Sequence, residues 1–338
     1  MSVMSTAEKL ATRYLHEAVK KQYDAQVRGL IGVTRKNGGI DVNLRDGYGM
    51  TALMWAAGRG YANIASLLIE NGADIEAGND LLSVRAIECL ETGGDDFVWN
   101  EERLGLLHAN KRHGWTALIW AARNGQSEIV SLLLDGGANV NAITKDGFTA
   151  LVHAIDNGHQ ETAHLLLKRG ADPNLVEDNC SPAVSLAAGH GFVDLVRAIL
   201  DRGGDVSSLD NWGHDALCSA VAKNQAEVLE LLLKRGLDAN AVCPNAGDWP
   251  PLFIAAEQDA LECAEILLDY GADMNFGVGE KGATALRQAL DEMVGPRVAR
   301  MLIDRGADIR GALETAEHFR DQPEAEELIK LLKDRAGS

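Results

Sequence analysis

Thr116-Ala-Leu-Ile-Trp-Ala-Ala122, followed by Ile129-Val-Ser-Leu-Leu-Leu134 and closed by Gly136-Gly-Ala-Asn139, decides how the chain is read. The first block returns as Thr51-Ala-Leu-Met-Trp-Ala-Ala57, Thr149-Ala-Leu-Val-His-Ala-Ile155, Pro182-Ala-Val-Ser-Leu-Ala-Ala188 and Asp215-Ala-Leu-Cys-Ser-Ala-Val221. From Ala117 to Ala150, Ala183 and Ala216 the step is 33 residues each time. Pro250-Pro-Leu-Phe-Ile-Ala-Ala256 and Thr284-Ala-Leu-Arg-Gln-Ala-Leu290 follow after steps of 35 and 34, which small loop insertions explain. Self-similarity at such a period means stacked supersecondary units rather than a single globular core.

The chemistry inside each unit predicts two helices. Small residues such as Ala121 and Ala122 let first helices approach closely. A glycine turn follows at Gly125, Gly158 or Gly191. Leucine blocks at Leu67, Leu132, Leu165 and Leu231 then fall at helical spacing on a second helix. Gly72, Gly137, Gly170 and Gly271 sit just past those helices, where a left-handed backbone is needed. Asn139-Val-Asn141 and Asp172-Pro-Asn174 read as short hairpins.

The pattern resembles the ankyrin repeat, with its T-P-L-H-x-A block and Gly-Ala-Asp turn, over roughly residues 10–335. The resemblance implies an all-α ankyrin-repeat solenoid of stacked helix–turn–helix units with short β-hairpin or turn connections. Alanine replaces the signature proline at Ala52, Ala117, Ala150 and Ala285. The signature histidine becomes Met54, Ile119, Val152, Ser185, Cys218, Phe253 and Arg287, which removes a turn hydrogen bond from each unit.

The expected organisation is one elongated domain over 1–338. It comprises an N-terminal cap at 7–46, a repeat at 47–79, a degenerate repeat at 80–113, six repeats over 114–311 and a C-terminal cap at 312–338. The segment 80–113 lacks the leucine block and the Gly-Ala-Asp turn, and reads as a decayed repeat that bridges its neighbours. Its Asp95, Asp96, Trp99, Glu101 and Glu102 offer a second reading, as a recognition surface or a bend.

Composition bounds the partners. With 32 basic and 50 acidic residues the formal charge is −18, which disfavours phosphate backbones and favours a basic or neutral partner. Five cysteines without CxxC spacing suit small buried hydrophobes in a reducing compartment. The N-terminus shows no secretory signal, and no stretch approaches the ~18 apolar residues of a membrane span. These features lead us to expect a cytoplasmic monomer without cofactor or metal.

Catalytic motifs fail on context. Gly277-Val-Gly-Glu-Lys-Gly282 matches G-x-G-x-x-G, but it follows an ankyrin turn instead of a buried strand. His159 and His164 are five apart and do not share a helix face. We expect no enzyme.

The resemblance implies that the first-helix face lines a concave groove. That face carries Trp55, Gly58 and Arg59, then Trp120, Arg123 and Asn124, then His153, Asp156 and Asn157, then Leu186, Gly189 and His190. Tyr48, His113, Trp115, Phe148, Trp212, His214 and Trp249 precede the motifs as turn tips. The expected partner-binding residues are Tyr48, Trp55, Arg59, Trp115, Trp120, Arg123, Asn124, Phe148, His153, Asp156, Trp212, His214 and Trp249. For Trp55 and Trp120 the competing reading is packing between repeats. For Trp115, Trp212 and Trp249 exposure is expected, because turn tips bury little.

The expected function is a protein-interaction scaffold or adaptor. The alternatives are an effector or inhibitor occluding a target enzyme, or a small-molecule or catalytic site beside Trp55 and Trp120 using His153 and Asp156. Asn43, Asn141, Asn174, Asn240 and Asn275 occupy a turn position that some ankyrin proteins present to an asparaginyl hydroxylase. Turn closure through their own side chains is the simpler expectation.

Overall fold

A computed structural model of the chain describes residues 6–37, 41–78, 114–144, 147–175, 180–210, 212–243, 249–279, 282–322 and 324–337. They form two compact units, Met1–Cys180 and Ser181–Ser338. Among the described residues every regular element is helical. The expected hairpins reduce to single antiparallel bridges, Arg45 to Thr51, Ile143 to Thr149, Cys243 to Trp249 and Val278 to Ala283.

The first unit contains α1 (Thr6–Lys20), α2 (Asp24–Asn37), α3 (Ala52–Arg59), α4 (Ala62–Glu70), α5 (Ala117–Arg123), α6 (Ser127–Asp135), α7 (Ala150–Asp156) and α8 (Gln160–Lys168). First helices stack in the order α1, α3, α5, α7, and second helices in the order α2, α4, α6, α8. In the second unit, α9 (Ala183–Gly189), α11 (Ala216–Ala222), α13 (Pro251–Glu257), α15 (Ala285–Leu290) and α17 (Ala312–His318) form one row. The other row is α10 (Val193–Leu200), α12 (Ala226–Lys234), α14 (Leu261–Asp269), α16 (Pro296–Asp304) and α18 (Ala325–Ala336).

Local chemistry starts and stops these short helices. The hydroxyls of Thr51, Thr116, Thr149 and Thr284, and the carboxylate of Asp215, accept the amide three residues on. Each thereby satisfies a donor that the helix itself leaves orphaned. At the first repeat the Thr51 amide in turn faces the Met54 sulfur at 3.5 Å, the position where the family signature has histidine. Gly72 and Gly170 close α4 and α8 at φ 83° and 92°, a conformation that would strain any residue with a Cβ.

The apolar seam is made of fully buried leucine and alanine: Leu68, Leu133 and Leu166 in the first unit, Leu232, Leu267 and Leu302 in the second. Each buried leucine contributes roughly 1.5–3 kcal/mol of transfer free energy. Polar ties reinforce the stacking from outside. Arg169 pairs with Asp135, Arg235 with Asp201 and Arg305 with Asp269, joining successive second helices at 2.7–2.8 Å.

The turn asparagines act differently from expectation. Asn43, Asn141, Asn240 and Asn275 accept, through Oδ1, the backbone amides of Asp74, Asp172, Asp273 and Asp308 in the next repeat. Asn43 and Asn240 also donate to the carbonyls of Gly72 and Gly271. The residue two earlier closes each turn instead, as Asp238 does for the Asn240 amide at 2.9 Å. These side chains therefore staple neighbouring layers. Asn240→Ala is expected to cost about 1–2 kcal/mol through two lost hydrogen bonds, measured by urea unfolding; a change under a few tenths would contradict the staple.

The expected degenerate repeat over 80–113, with its acidic and tryptophan residues, lies outside the described residues. The layers flanking it are in direct contact. Helix α3 packs on α5 and α4 on α6. A Cβ on Gly58 would lie 3.6 Å from the Trp120 ring, and one on Gly78 would lie 3.3 Å from Gly114 Cα. The Asn139 amide also donates to Glu76 across the same junction at 2.8 Å.

Candidate functional site

Within each unit the hairpin tips and the adjoining first-helix face carry the residues selected from the sequence, but burial divides them sharply. Trp55, Trp120 and His153 hold equivalent positions on α3, α5 and α7, and are only 6%, 5% and 8% exposed. They fill space between layers, which was the competing reading for the two tryptophans. Arg59 and Asp156 are exposed, and Tyr48, Arg123, Asn124 and Phe148 are half-buried. Asn124 donates to the Trp120 carbonyl and so serves as a helix cap.

Trp115 corrects an expectation. It is 2% exposed, with its ring 5.0 Å from Trp120 and 4.4 Å from His153. The Arg123 guanidinium covers it at 5.7 Å. Trp115 immediately precedes the Thr116 cap, and its counterpart Met50, ahead of Thr51, is buried as well. Residues at this register point beneath the hairpin. Trp249 and His214 share the register and are half-buried, Trp249 against Phe253 at 4.8 Å. Trp212 stands three residues before its cap and is 77% exposed.

The aromatic cluster is unusual electrostatically. The indole nitrogens of Trp115 and Trp120 and Nε2 of His153 are buried and have no hydrogen-bond partner among the described residues. Desolvation, with the Arg123 charge adding to it, holds the His153 pKa down at about 3, so its ring is neutral at pH 7. Trp55, at the equivalent position on α3, differs, since its indole donates to Asp46 Oδ2 at 2.8 Å.

Asp46 and Asp210 are candidate site side chains absent from the sequence reading. Each closes its own hairpin by accepting two amides, Tyr48 and Met50 for Asp46, Trp212 and His214 for Asp210. Each also leaves its second oxygen toward the first-helix face. The paired stretches Asp46-Gly-Tyr-Gly49 and Asp210-Asn-Trp-Gly213 were the signal. In the first repeat, Lys20 fills that corner. Its ammonium lies 3.3 Å from Asp46 Oδ2 and 5.0 and 4.4 Å from the Tyr48 and Trp55 ring centres. In the second unit, a cavity of about 410 Å³ opens beside Asp210, Trp212, Ser219, Leu186 and His190.

Metal chemistry has little to work with. Among the described residues the sole cluster with ligand spacing is Asp215, Cys218 and Cys243, whose ligand atoms lie within 4.8 Å of one another. Cys218 and Cys243, 25 residues apart, are joined as a disulfide, which accounts for both sulfurs. This differs from the expected set of separate buried thiols. It arises because α11 places Cys218 beneath the following hairpin, a proximity invisible in a search for CxxC. Cys180 and Cys263 are buried as expected, and burial pushes the Cys263 thiol up to about 12.

His159 is an inter-repeat residue: a Cβ on Gly125 would approach its ring to 2.6 Å. The glycines of Gly277–Gly282 flank the bridge from Val278 to Ala283 and belong to a hairpin tip. No described helix is long and apolar enough to cross a membrane.

A family model for ankyrin repeats (3 copies) matches residues 7–89, 100–177, 175–243 and 242–311. This chain belongs to the ankyrin-repeat family. It is also similar to the mitochondrial disaggregase of Bos taurus, with 38% identity over 110 residues. That match covers 30% of this ankyrin-repeat chain and 16% of the disaggregase. Ankyrin repeats generally mediate protein–protein interaction.

Proposed function

We propose that this chain is a protein-interaction module which holds its partner along the first-helix face and the hairpin tips. The carrying observation is Trp212, a large aromatic left 77% exposed on a hairpin tip where its register counterpart Tyr48 is half-buried. An exposed aromatic beside charged and small groups is the composition of an interaction hot spot. In the first unit, Arg59 and Arg123 lie near tryptophan rings at 5.1 and 5.7 Å on the corresponding first-helix face of that unit.

The buried Trp55, Trp120 and His153 support this face from beneath. A small-molecule or catalytic site among them has no support from the described cavities, and the acidic total argues for a basic or neutral partner. The overlap with the disaggregase spans only 16% of that protein, so no activity is carried over from it.

The test compares partner capture by the full chain and by variants. Arg59→Glu with Arg123→Glu is expected to weaken capture at least tenfold, because rim charges tune encounter and arginine anchors contacts. Lys168→Glu and Arg197→Glu, on second helices, are expected to leave it unchanged. Equal loss from both pairs, or loss from the second pair alone, would refute this reading.

A further inference from the structure

We infer that the cavity beside Asp210 and Trp212 accepts a lysine or arginine side chain from an extended segment of the partner. The inference rests on the proposed binding face, and the molecule itself supplies the pattern.

At the first repeat, a carboxylate that closes a hairpin (Asp46), the aromatic ring two residues later (Tyr48) and the first-helix residue Trp55 surround an ammonium group. That ammonium is the chain's own Lys20. The second unit repeats the arrangement at the same register: Asp210, Trp212 two residues later, and Ser219 on α11 at the position of Trp55. Asp210 is held alike, with Trp212 and His214 amides on Oδ1. Among the described residues its Oδ2 accepts a long hydrogen bond from the Ser219 hydroxyl at 3.4 Å and lies 4.0 Å from His214 Nδ1.

Two differences make the second copy a receptor. Serine replaces the indole of Trp55, removing bulk from the wall. The preceding first helix, α9, offers Leu186, Gly189 and His190 where α1 supplies Lys20. The result is the cavity of about 410 Å³, enough for one long side chain. A cation entering it would meet the 12%-exposed Asp210 carboxylate and the free-standing Trp212 face. Partly buried carboxylates and indole faces both favour a cation. The total charge of −18 attracts a basic segment over longer range.

Lys223, His190 and His214 also line the cavity. Lys223 is exposed and forms no ion pair with Asp210, so it opposes the incoming charge only through solvent.

A library of random twelve-residue peptides displayed on phage and selected against the full chain tests the inference. The selected pool is expected to share one lysine or arginine, with norleucine at that position binding about tenfold more weakly. Asp210→Asn, which keeps one oxygen to accept the Trp212 and His214 amides, and Trp212→Ala are each expected to weaken the peptides about tenfold, and Lys223→Gln to strengthen them. Peptides without a shared basic residue, a shared acidic residue read by Lys223 and His190, or peptides indifferent to both substitutions overturn the cation pocket. In that event, peptides still displaced by Arg59→Glu with Arg123→Glu leave the broader binding face standing. A selection that enriches nothing counts against both.

Discussion

Trp115→Ala is expected to lower the stability of the first unit by about 3–5 kcal/mol, the usual cost of emptying a buried tryptophan site. The ring is 2% exposed and packed between Trp120, His153 and Arg123. Its indole nitrogen has no hydrogen-bond partner among the described residues, so the loss is one of packing rather than of a polar contact. Trp115→Phe keeps part of that volume and is expected to cost less than half as much. Because the chain forms two compact units, urea unfolding should be followed by probes in each, and the effect should appear in the transition of the first unit. A loss below about 1 kcal/mol would place Trp115 at an exposed tip after all, well outside the range for buried aromatics.

Acid is expected to unfold the first unit through His153. An unfolded histidine takes its proton near pH 6.5, whereas the buried ring does so only near pH 3. The folded pKa lies below the unfolded one, so the unfolded state binds more protons between those limits. Stability is therefore full above pH 6.5 and falls as the pH drops toward 3. Each pH unit in that window costs about 1.4 kcal/mol, so lowering the pH from about 6.5 to 4.5 removes about 3 kcal/mol. His153→Leu, which installs the residue found at the equivalent Leu186, is expected to remove that slope. Identical pH profiles for the variant and the parent would show that the ring is solvated.

The fold was legible because its punctuation is chemical. Threonine caps, small first-helix faces and closing glycines each recur at fixed spacing, and each has a single structural use. What escaped the sequence was direction. Trp115 and Trp212 look alike as aromatics ahead of a cap. One stands immediately before it and turns under the hairpin, the other three residues before it and turns out.

The candidate site was legible in the same uneven way. Trp55, Trp120 and His153 stand on first helices as expected, but their size fills the gap between layers and leaves little surface. Asp46 and Asp210 were passed over because an aspartate in a turn has an ordinary use in closing it. Only the geometry shows the second oxygen left over, with Lys20 answering it in one repeat and a cavity in another. The disulfide between Cys218 and Cys243 belongs with these, a contact made by stacking rather than by spacing.

The most direct measurement is covalent side-chain footprinting of the full chain with and without its bound partner. The account predicts that Trp212, Tyr48 and Arg123 become protected while Lys168 and Arg197 on the second helices react as before. Protection confined to the second-helix residues, with Trp212 still fully reactive, would contradict it.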